Sequence, residues 1–316
     1  MHRRAPAPAR QRLTLVALAW AALLAAWPGM AQADGARVAL LIGNGAYRSL
    51  PPLANPVTDA TLLTTALERR GFKVELARDG DLGAMRAALD RFGTAAAGAE
   101  IALIYYSGHG VQVDGTNYLL PVGADIRSRD DLAVQTLTLP VVLAAVQAAA
   151  PRLGVVVLDA CRDNPLPKLA APTVATRSLA PSEGLARMPV QQGMLIAYAT
   201  APGQVALDGP PGQNSPFAAA LARYLDEPGL EIGLLFRKVG ERVREITAGA
   251  QVPWTEAALT GDPVYLHQAA AGAAADDEVT ALNAALALDE PEALVLRCIR
   301  SWVAELRRAA EPLPRL

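Results

Sequence analysis

The sequence predicts an α/β domain in which helices cover both faces of a mainly parallel sheet. Short apolar runs of strand length recur along the chain, and stretches with the spacing of amphipathic helices lie between them. The apolar runs also lack the polar–apolar alternation of a half-exposed strand. This indicates strands that are buried on both faces, as parallel strands are.

Composition excludes several classes of protein. The chain has 316 residues, 52% of them hydrophobic, and a formal net charge of −2. A disordered or nucleic-acid-wrapping chain needs low hydrophobicity and a large net charge. Two cysteines and three histidines are too few for a disulfide scaffold or a zinc framework with many ligands.

Two helices separate the first three predicted strands. Residues 38–42 read Val-Ala-Leu-Leu-Ile and end at a Gly-Asn-Gly turn. The Asn-Pro pair at 55–56 begins a helix with leucines and alanines on one face, which Gly71 ends near residue 70. A strand at 72–76, a helix at 82–96 and an apolar strand at 101–106 follow.

The second half of the domain continues this alternation. A helix at 140–150 precedes an apolar strand at 154–158, and another apolar strand is predicted at 194–198. The segment 161–192 is Pro-rich and aperiodic, and loops of this length are usually functional or mobile. Helices at 216–225 and 232–247 and a short strand at 263–266 complete the domain.

The N-terminal segment, residues 1–33, has the layout of a secretory signal peptide. A basic start precedes an uncharged run at 13–26, and small residues surround a cut after Ala33. An uncleaved anchor is the alternative, but fourteen apolar residues are short for a bilayer. Cleavage lowers the formal net charge from −2 to −6, because the segment carries four arginines and no acidic residue. We therefore expect an exported protein that binds no nucleic acid and is not stably inserted in a membrane.

The C-terminal residues are expected to form a separate appendage. The main domain spans 34–267, an Ala/Gly-rich linker spans 268–276, and two helices are predicted within 277–316. These helices would pack on each other or on the main domain. Cys298 lies on their apolar stripe, where we expect it to be buried and inert. The alternative is a disulfide with Cys161 in an oxidising compartment.

Two candidate catalytic residues follow predicted strands. His109 stands between two glycines after the strand at 101–106, and Cys161 follows the strand at 154–158. Functional groups collect at the carboxyl ends of parallel strands, so adjacent strands would bring this pair together. An imidazole beside a thiol gives a nucleophile near neutral pH, and the N–H groups of Gly110 and Cys161 could form an oxyanion hole. Taken singly, His109 could instead cap the sheet end, and Cys161 could be a buried structural cysteine.

These motifs resemble the caspase-type cysteine peptidases, in which the histidine lies about fifty residues before the cysteine. The separation here is 52 residues, and the motifs Tyr-Ser-Gly-His-Gly at 106–110 and Asp-Ala-Cys at 159–161 are similar to the metacaspase and bacterial caspase-like branch. The segments at 199–204 and 214–217 also resemble bacterial members. The resemblance implies a six-stranded caspase-like sheet between helices, polypeptide substrates, and a location in the bacterial periplasm or outside the cell.

The resemblance also implies a substrate preference. In metacaspases, the pocket for the residue before the cut is formed by positions that match Asp59, Ser107 and Asp159. Two carboxylates in a partly desolvated pocket favour a guanidinium or an ammonium group and repel aspartate. We therefore expect cleavage after Arg or Lys. The alternative for Asp59 is a first-turn residue that offsets the dipole of its helix.

Two further expectations come from the resemblance. Many metacaspases bind calcium through loop aspartates, and Asp125, Asp130 and Asp131 lie in a comparable stretch, although no acidic residue matches the ligand expected after the cysteine. Apart from this calcium hypothesis we expect no metal and no cofactor. The segment 161–192 corresponds to a loop that is often cut during activation, and the candidate self-cleavage sites are Lys168, Arg177 and Arg187. A mobile surface loop is the alternative.

The leading hypothesis is thus an exported cysteine endopeptidase with a His109–Cys161 dyad. The alternative is a catalytically idle caspase-like domain with a binding or regulatory role. A nucleotide-binding domain is excluded by the loop after the first strand, because Arg48 stands where a dinucleotide fingerprint needs its third glycine.

Overall fold

The structure, a computed structural model, describes residues 35–161, 190–201 and 206–268, and for Cys161 it describes the backbone alone. The predicted signal peptide, the candidate cleavage sites at 168, 177 and 187, the C-terminal helices and Cys298 lie outside the described residues. Across the described ranges, no helix has both the length and the apolar character needed to cross a bilayer.

A six-stranded sheet forms the centre of the domain. The strands of the domain are β1 (Arg37–Gly43), β2 (Lys73–Arg78), β3 (Ile101–Val113), β4 (Thr116–Leu119), β5 (Leu137–Thr138), β6 (Leu153–Cys161), β7 (Met194–Tyr198) and β8 (Trp254–Ala258). The order in the central sheet is β2-β1-β3-β6-β7-β8, and every neighbouring pair is parallel except β7 and β8, which are antiparallel. The short strands β4 and β5 lie off this path, where β4 pairs with β3 and with β5. The predicted fold class is therefore confirmed.

Helices cover both faces of this sheet and bury two apolar cores. The helices are α1 (Pro56–Glu68), α2 (Leu82–Ala95), α3 (Arg129–Gln135), α4 (Leu139–Ala149), α5 (Pro216–Leu225) and α6 (Ile232–Ile246). One core lies between the sheet and α1, α5 and α6, and the other lies between the sheet and α2 and α4. Alternate residues of each central strand contribute to opposite cores, which explains why the strands read as unbroken apolar runs.

The third strand is longer than the apolar pattern predicts. The pattern ends at residue 106, whereas β3 continues through the polar and glycine residues to Val113 and pairs with β4 in an antiparallel hairpin. Asp114 and Gly115 form the two-residue loop, with φ angles of 50° and 78°. Asp-Gly is a strong hairpin signal that this prediction missed. His109 therefore lies within the strand rather than after it.

The final strand was predicted at the wrong place. The sheet ends with β8, whereas the predicted strand at 263–266 contributes an isolated bridge, in which Tyr265 pairs with Glu231 at the start of α6. The apolar residues that suggested a strand, Val264 and Leu266, pack instead on the core beneath the helices. An edge strand such as β8 carries a weak apolar signal because alternate residues are exposed.

Candidate active site

The predicted catalytic pair occupies one register position of the sheet. Strands β3 and β6 are parallel neighbours in which His109 is the Cα partner of Cys161 and Ser107 is the partner of Asp159. Cys161 is the last residue of β6. The register thus brings together four of the residues that the sequence singled out.

The imidazole of His109 is oriented by a backbone carbonyl. Its Nε2 lies 2.8 Å from the carbonyl oxygen of Pro51, and the residue is 5% exposed. A carbonyl can only accept a hydrogen bond, so Nε2 must carry the proton in this contact. In the neutral ring, Nδ1 is then the basic nitrogen. Sequence reasoning missed Pro51, because a main-chain acceptor leaves no trace in residue type.

Two tyrosine hydroxyls contact the backbone of His109. The His109 N–H donates to Tyr47 Oη at 2.7 Å, and Tyr106 Oη donates to the His109 carbonyl at 2.7 Å. The ring of Tyr47 also packs against the imidazole, with centroids 4.4 Å apart. Neither tyrosine was predicted to have a role.

The backbone N–H of Gly110 is directed towards the cysteine side of the site. Leu120 N–H donates to the His109 carbonyl at 3.0 Å, and Gly110 is in register with Leu119. Hydrogen-bonded and non-hydrogen-bonded pairs alternate in an antiparallel ladder, so Gly110 occupies a non-hydrogen-bonded position against β4. Its N–H therefore points away from β4, towards β6. This is the orientation that an oxyanion donor requires.

A second group of residues forms an acidic pocket beside this pair. We define the acidic pocket as Asp59, Ser107, Asp159, Asp208 and Ser215. Ser107, Asp159, Asp208 and Ser215 line a narrow cavity. Asp59 lies behind it and is linked through Ser215, whose N–H donates to Asp59 Oδ1 at 2.9 Å.

Asp59 is fully buried at the start of α1. Its Oδ1 accepts hydrogen bonds from Asn214 and Ser215, whereas Oδ2 has no hydrogen-bond partner among the described residues. Burial, and next the charge of Asp159, raise the pKa of Asp59 to about 7. Asp59 lies in the first turn of α1, so offsetting the helix dipole stays an alternative role for this carboxyl group.

Asp159 is buried at the end of β6 and 5% exposed. Its Oδ2 accepts hydrogen bonds from Ser215 Oγ at 2.6 Å and from Tyr105 Oη at 3.1 Å. Burial raises the pKa of Asp159 to about 6, against the lowering effect of these hydrogen bonds, and the charge of Asp208 raises it further. The pocket therefore holds carboxyl groups in an environment that disfavours their charge.

Asp208 is the acidic residue that sequence reasoning missed. Its Oδ2 accepts from Ala54 N–H at 3.1 Å, and the buried Asn55 side chain donates to the carbonyl of Asp208 at 2.6 Å. Burial raises the pKa of Asp208, while the nearby imidazole of His109 lowers it. The loop before α5 thus supplies a third carboxyl group to the acidic pocket, and its position depends on tertiary contacts that no local pattern reveals.

The cavity is small in this structure. Its volume is about 10 Å³, which is roughly the space needed for one water molecule. A long basic side chain can enter only if a wall moves outward. Ala206 and Leu207 form one wall together with Leu53.

Two of the three calcium candidates are engaged in other contacts within the described part of the chain. Both oxygens of Asp131 are used inside the chain, in a capping box with Ser128 and in a hydrogen bond from Gln135. Asp125 pairs with Arg127. Within residues 35–161, 190–201 and 206–268, no three His, Cys, Asp or Glu side chains are grouped to hold a metal ion. Calcium dependence stays a prediction, and no step proposed below uses calcium.

A family model described as the caspase domain matches residues 36–264, which is more than two thirds of the chain. The chain belongs to the caspase family. Residues 36–264 of this family member form a caspase-like peptidase domain.

Curated relatives match a part of this caspase-family chain. The human mucosa-associated lymphoid tissue lymphoma translocation protein 1 is 38% identical over 128 residues, and its mouse homologue is 36% identical over 128 residues. Each alignment covers 40% of the chain and 15% of the relative. The chain thus spans a small fraction of the length of these proteins.

Solved structures share the fold. The structure of pro-sf-caspase-1 superposes with a TM-score of 0.56 at 16% identity, covering 76% of this chain and 94% of the other. Caspase-1 from Spodoptera frugiperda gives a TM-score of 0.53 at 19% identity, with coverages of 75% and 92%. At these identities the likeness establishes the caspase-like sheet and its flanking helices.

Proposed function

We propose that this protein is a cysteine endopeptidase that cleaves polypeptides after Arg or Lys, with Cys161 as nucleophile and His109 as general base. The single observation that carries the proposal is the register of β3 and β6, in which His109–Cys161 and Ser107–Asp159 are neighbouring pairs. A nucleophile, a base and a carboxylate pocket lie within two residues of one another along two adjacent strands.

The first step is activation of the thiol. His109 Nδ1 accepts the Cys161 proton, because Nε2 is committed to the carbonyl of Pro51. The thiolate attacks the scissile carbonyl carbon, and the N–H groups of Gly110 and Cys161 stabilise the oxyanion. The imidazolium then returns its proton to the leaving amine, which leaves a thioester on Cys161.

The second step is hydrolysis of the thioester. His109 accepts a proton from a water molecule, which attacks the thioester carbonyl, and the same N–H groups hold the second oxyanion. Protonation of the departing thiolate restores the free enzyme. The contact with Pro51 holds the imidazole in one tautomer through both steps.

The acidic pocket supports the preference for a basic residue. A guanidinium or ammonium group would replace the water lost by Asp159 and Asp208 on burial, and it would relieve the repulsion between neighbouring carboxylates. An aspartate side chain would add a negative charge to the same space. Asp208 extends the predicted set of Asp59, Ser107 and Asp159.

The signal peptide supports export to the bacterial periplasm or the extracellular space as a further proposal. Comparing the mass of the mature protein with that of the full chain tests it, and the expected mature N-terminus is Asp34. An intact N-terminus in the exported fraction would contradict cleavage after Ala33.

Replacement of Cys161 separates the proposal from an idle caspase-like domain. The change Cys161→Ala removes the nucleophile, so hydrolysis of an Arg-ended peptide is expected to fall at least a thousandfold without loss of folded structure. Cys298→Ala is the matched control and is expected to retain activity. Wild-type protein that is folded but inactive on a peptide library would favour the idle domain.

A further inference from the structure

The hydrogen-bond ladder between β3 and the chain after β4 is interrupted at His109. The pair His109–Leu120 makes one of its two direct bonds, from Leu120 N–H to the His109 carbonyl at 3.0 Å. In place of the other bond, from His109 N–H to the Leu120 carbonyl, two hydrogen bonds run through the hydroxyl of Tyr47. His109 N–H donates to Tyr47 Oη at 2.7 Å, and Tyr47 Oη donates to the Leu120 carbonyl at 3.1 Å.

The two phenol protons fit this arrangement. Tyr47 Oη has one proton to donate. The oxygen lies 3.1 Å from the Leu120 carbonyl and 3.3 Å from Tyr106 Oη. Tyr106 Oη lies 2.7 Å from the His109 carbonyl and 3.0 Å from the Leu120 carbonyl. If Tyr106 donates to His109 and Tyr47 donates to Leu120, each backbone group of His109 has a partner and each proton has an acceptor.

Glycine at position 108 makes room for both hydroxyls. A Cβ at Gly108 would lie 2.6 Å from Tyr47 Oη and 2.8 Å from Tyr106 Oη, closer than real contacts allow. The glycine before the histidine therefore has a steric reason: two phenols occupy the space of its missing side chain. A strand with glycines on both sides of His109 is also flexible by itself, so its position depends on these added bonds.

The loop that carries Tyr47 is itself fixed. Asp79 Oδ1 accepts hydrogen bonds from the N–H groups of Gly45 and Ala46, at 2.8 and 2.9 Å. The fully buried Asn44 side chain donates to the Leu120 carbonyl at 3.2 Å and accepts from Gly80 N–H. Tyr47 is thus supported by groups at the ends of β1 and β2.

We propose that Tyr47 is a positioning residue of the active site, whose hydroxyl, inserted between His109 and Leu120, holds the imidazole against the carbonyl of Pro51 and in register with the backbone of Cys161. Tyr106 assists from the carbonyl side, and we call these two residues the phenol clamp. The role in catalysis rests on the proposed peptidase function, whereas the effect on the thiol of Cys161 does not need a substrate.

The physical expectation follows from removing the inserted hydroxyl. In Tyr47→Phe the ring remains against the imidazole, but His109 N–H must either pair directly with Leu120 or stay unpaired. Direct pairing draws His109 towards Leu120 and away from β6. A displacement of about 1 Å at a reacting group can cost on the order of a hundredfold in rate.

The test uses the full mature chain with Cys298→Ala as background. For Tyr47→Phe we expect kcat on an Arg-ended peptide to fall at least tenfold with KM within twofold of the background protein. We also expect the pH at which iodoacetamide alkylation of Cys161 reaches half its maximal rate to move upward, because a displaced imidazole stabilises the thiolate less. Tyr118→Phe is the matched control, on β4 outside the clamp, and both readouts are expected to stay unchanged.

The outcomes are distinguishable. Unchanged kcat together with an unchanged alkylation profile would overturn the positioning role. If no peptide is cleaved by the background protein, the proposed peptidase function fails, while a shifted alkylation profile in Tyr47→Phe still supports the clamp. If Tyr47→Phe does not fold, the same two measurements on Tyr106→Phe decide. For Tyr106→Phe, a smaller fall in kcat and a smaller upward shift of the alkylation profile support the clamp, since Leu120 N–H still holds the His109 carbonyl. If kcat and the profile both stay unchanged, the clamp is overturned.

Discussion

The two sides of this active site are built from opposite kinds of interaction. On the histidine side, the phenol clamp and the carbonyl of Pro51 fix His109 with neutral hydrogen bonds. On the other side, the acidic pocket holds buried carboxyl groups whose pKa values are raised. Neutral bonds determine geometry at little electrostatic cost, whereas buried carboxylates are unfavourable until a cation arrives. In the proposed enzyme, the histidine side thus places a proton acceptor and the acidic pocket selects a charged side chain.

The largest loss of activity that distinguishes the acidic pocket from the histidine side is expected for Asp159→Asn. The change keeps an oxygen for Ser215 and Tyr105 but removes the charge of one of the two carboxyl groups that line the cavity. We expect kcat/KM on an Arg-ended peptide to fall about a hundredfold or more, because a guanidinium left without its buried partner loses several kcal/mol. Steady-state kinetics measures this.

Asp90→Asn is the matched control for Asp159→Asn, since Asp90 is exposed on α2 and is not among the residues that line the cavity. It is expected to match wild type. An equal loss of activity in both variants, or no loss in Asp159→Asn, would contradict a selective role for the buried charge.

The pH is expected to have a smaller effect, which is on the binding of substrate. The pKa of Asp59 is raised to about 7 and that of Asp159 to about 6. Lowering the pH from 8 to 5 therefore protonates the pocket and weakens its attraction for a cation. We expect KM for an Arg-ended peptide to rise roughly tenfold over this range, because pH 5 lies about one to two units below these raised pKa values. A KM that is flat, or that falls as the pH is lowered, is incompatible with this pocket chemistry.

The sheet and the neighbouring positions of His109 and Cys161 could be anticipated from the sequence, because buried parallel strands give continuous apolar runs and their ends carry functional groups. Strand register then brings Ser107, His109, Asp159 and Cys161 together. The phenol clamp and Asp208 could not be anticipated. They depend on tertiary contacts, such as that of Asn55 with the carbonyl of Asp208, and a contact of this kind has no periodic pattern.

The smallest expected effect is a change in thermal stability when Asp59 is replaced. Its folded-state pKa lies above its ordinary value of 3.8, so its stabilising contribution is complete below about pH 4 and is lost as the pH rises through 7. Asp59→Asn keeps the bonds from Asn214 and Ser215 and removes the charge. We expect its Tm to exceed that of wild type at pH 8 by roughly 2–8 °C, given roughly 2–4 °C for each kcal/mol in a domain of this size.

Calorimetry at pH 8 and pH 4 checks this expectation. The gain from Asp59→Asn should be present at pH 8 and absent at pH 4, where the wild-type carboxyl group is already neutral. A gain of equal size at both values would mean that packing, rather than the buried charge, is responsible.

We propose that a His109–Cys161 dyad works beside a pocket for a basic side chain. The most direct test compares hydrolysis of two reporter peptides that differ only in the residue before the cut, Arg or Asp, by wild type and by Cys161→Ala. We expect rapid cleavage after Arg, little or none after Asp, and none by the variant. Faster cleavage after Asp, or cleavage that persists in Cys161→Ala, would contradict this proposal.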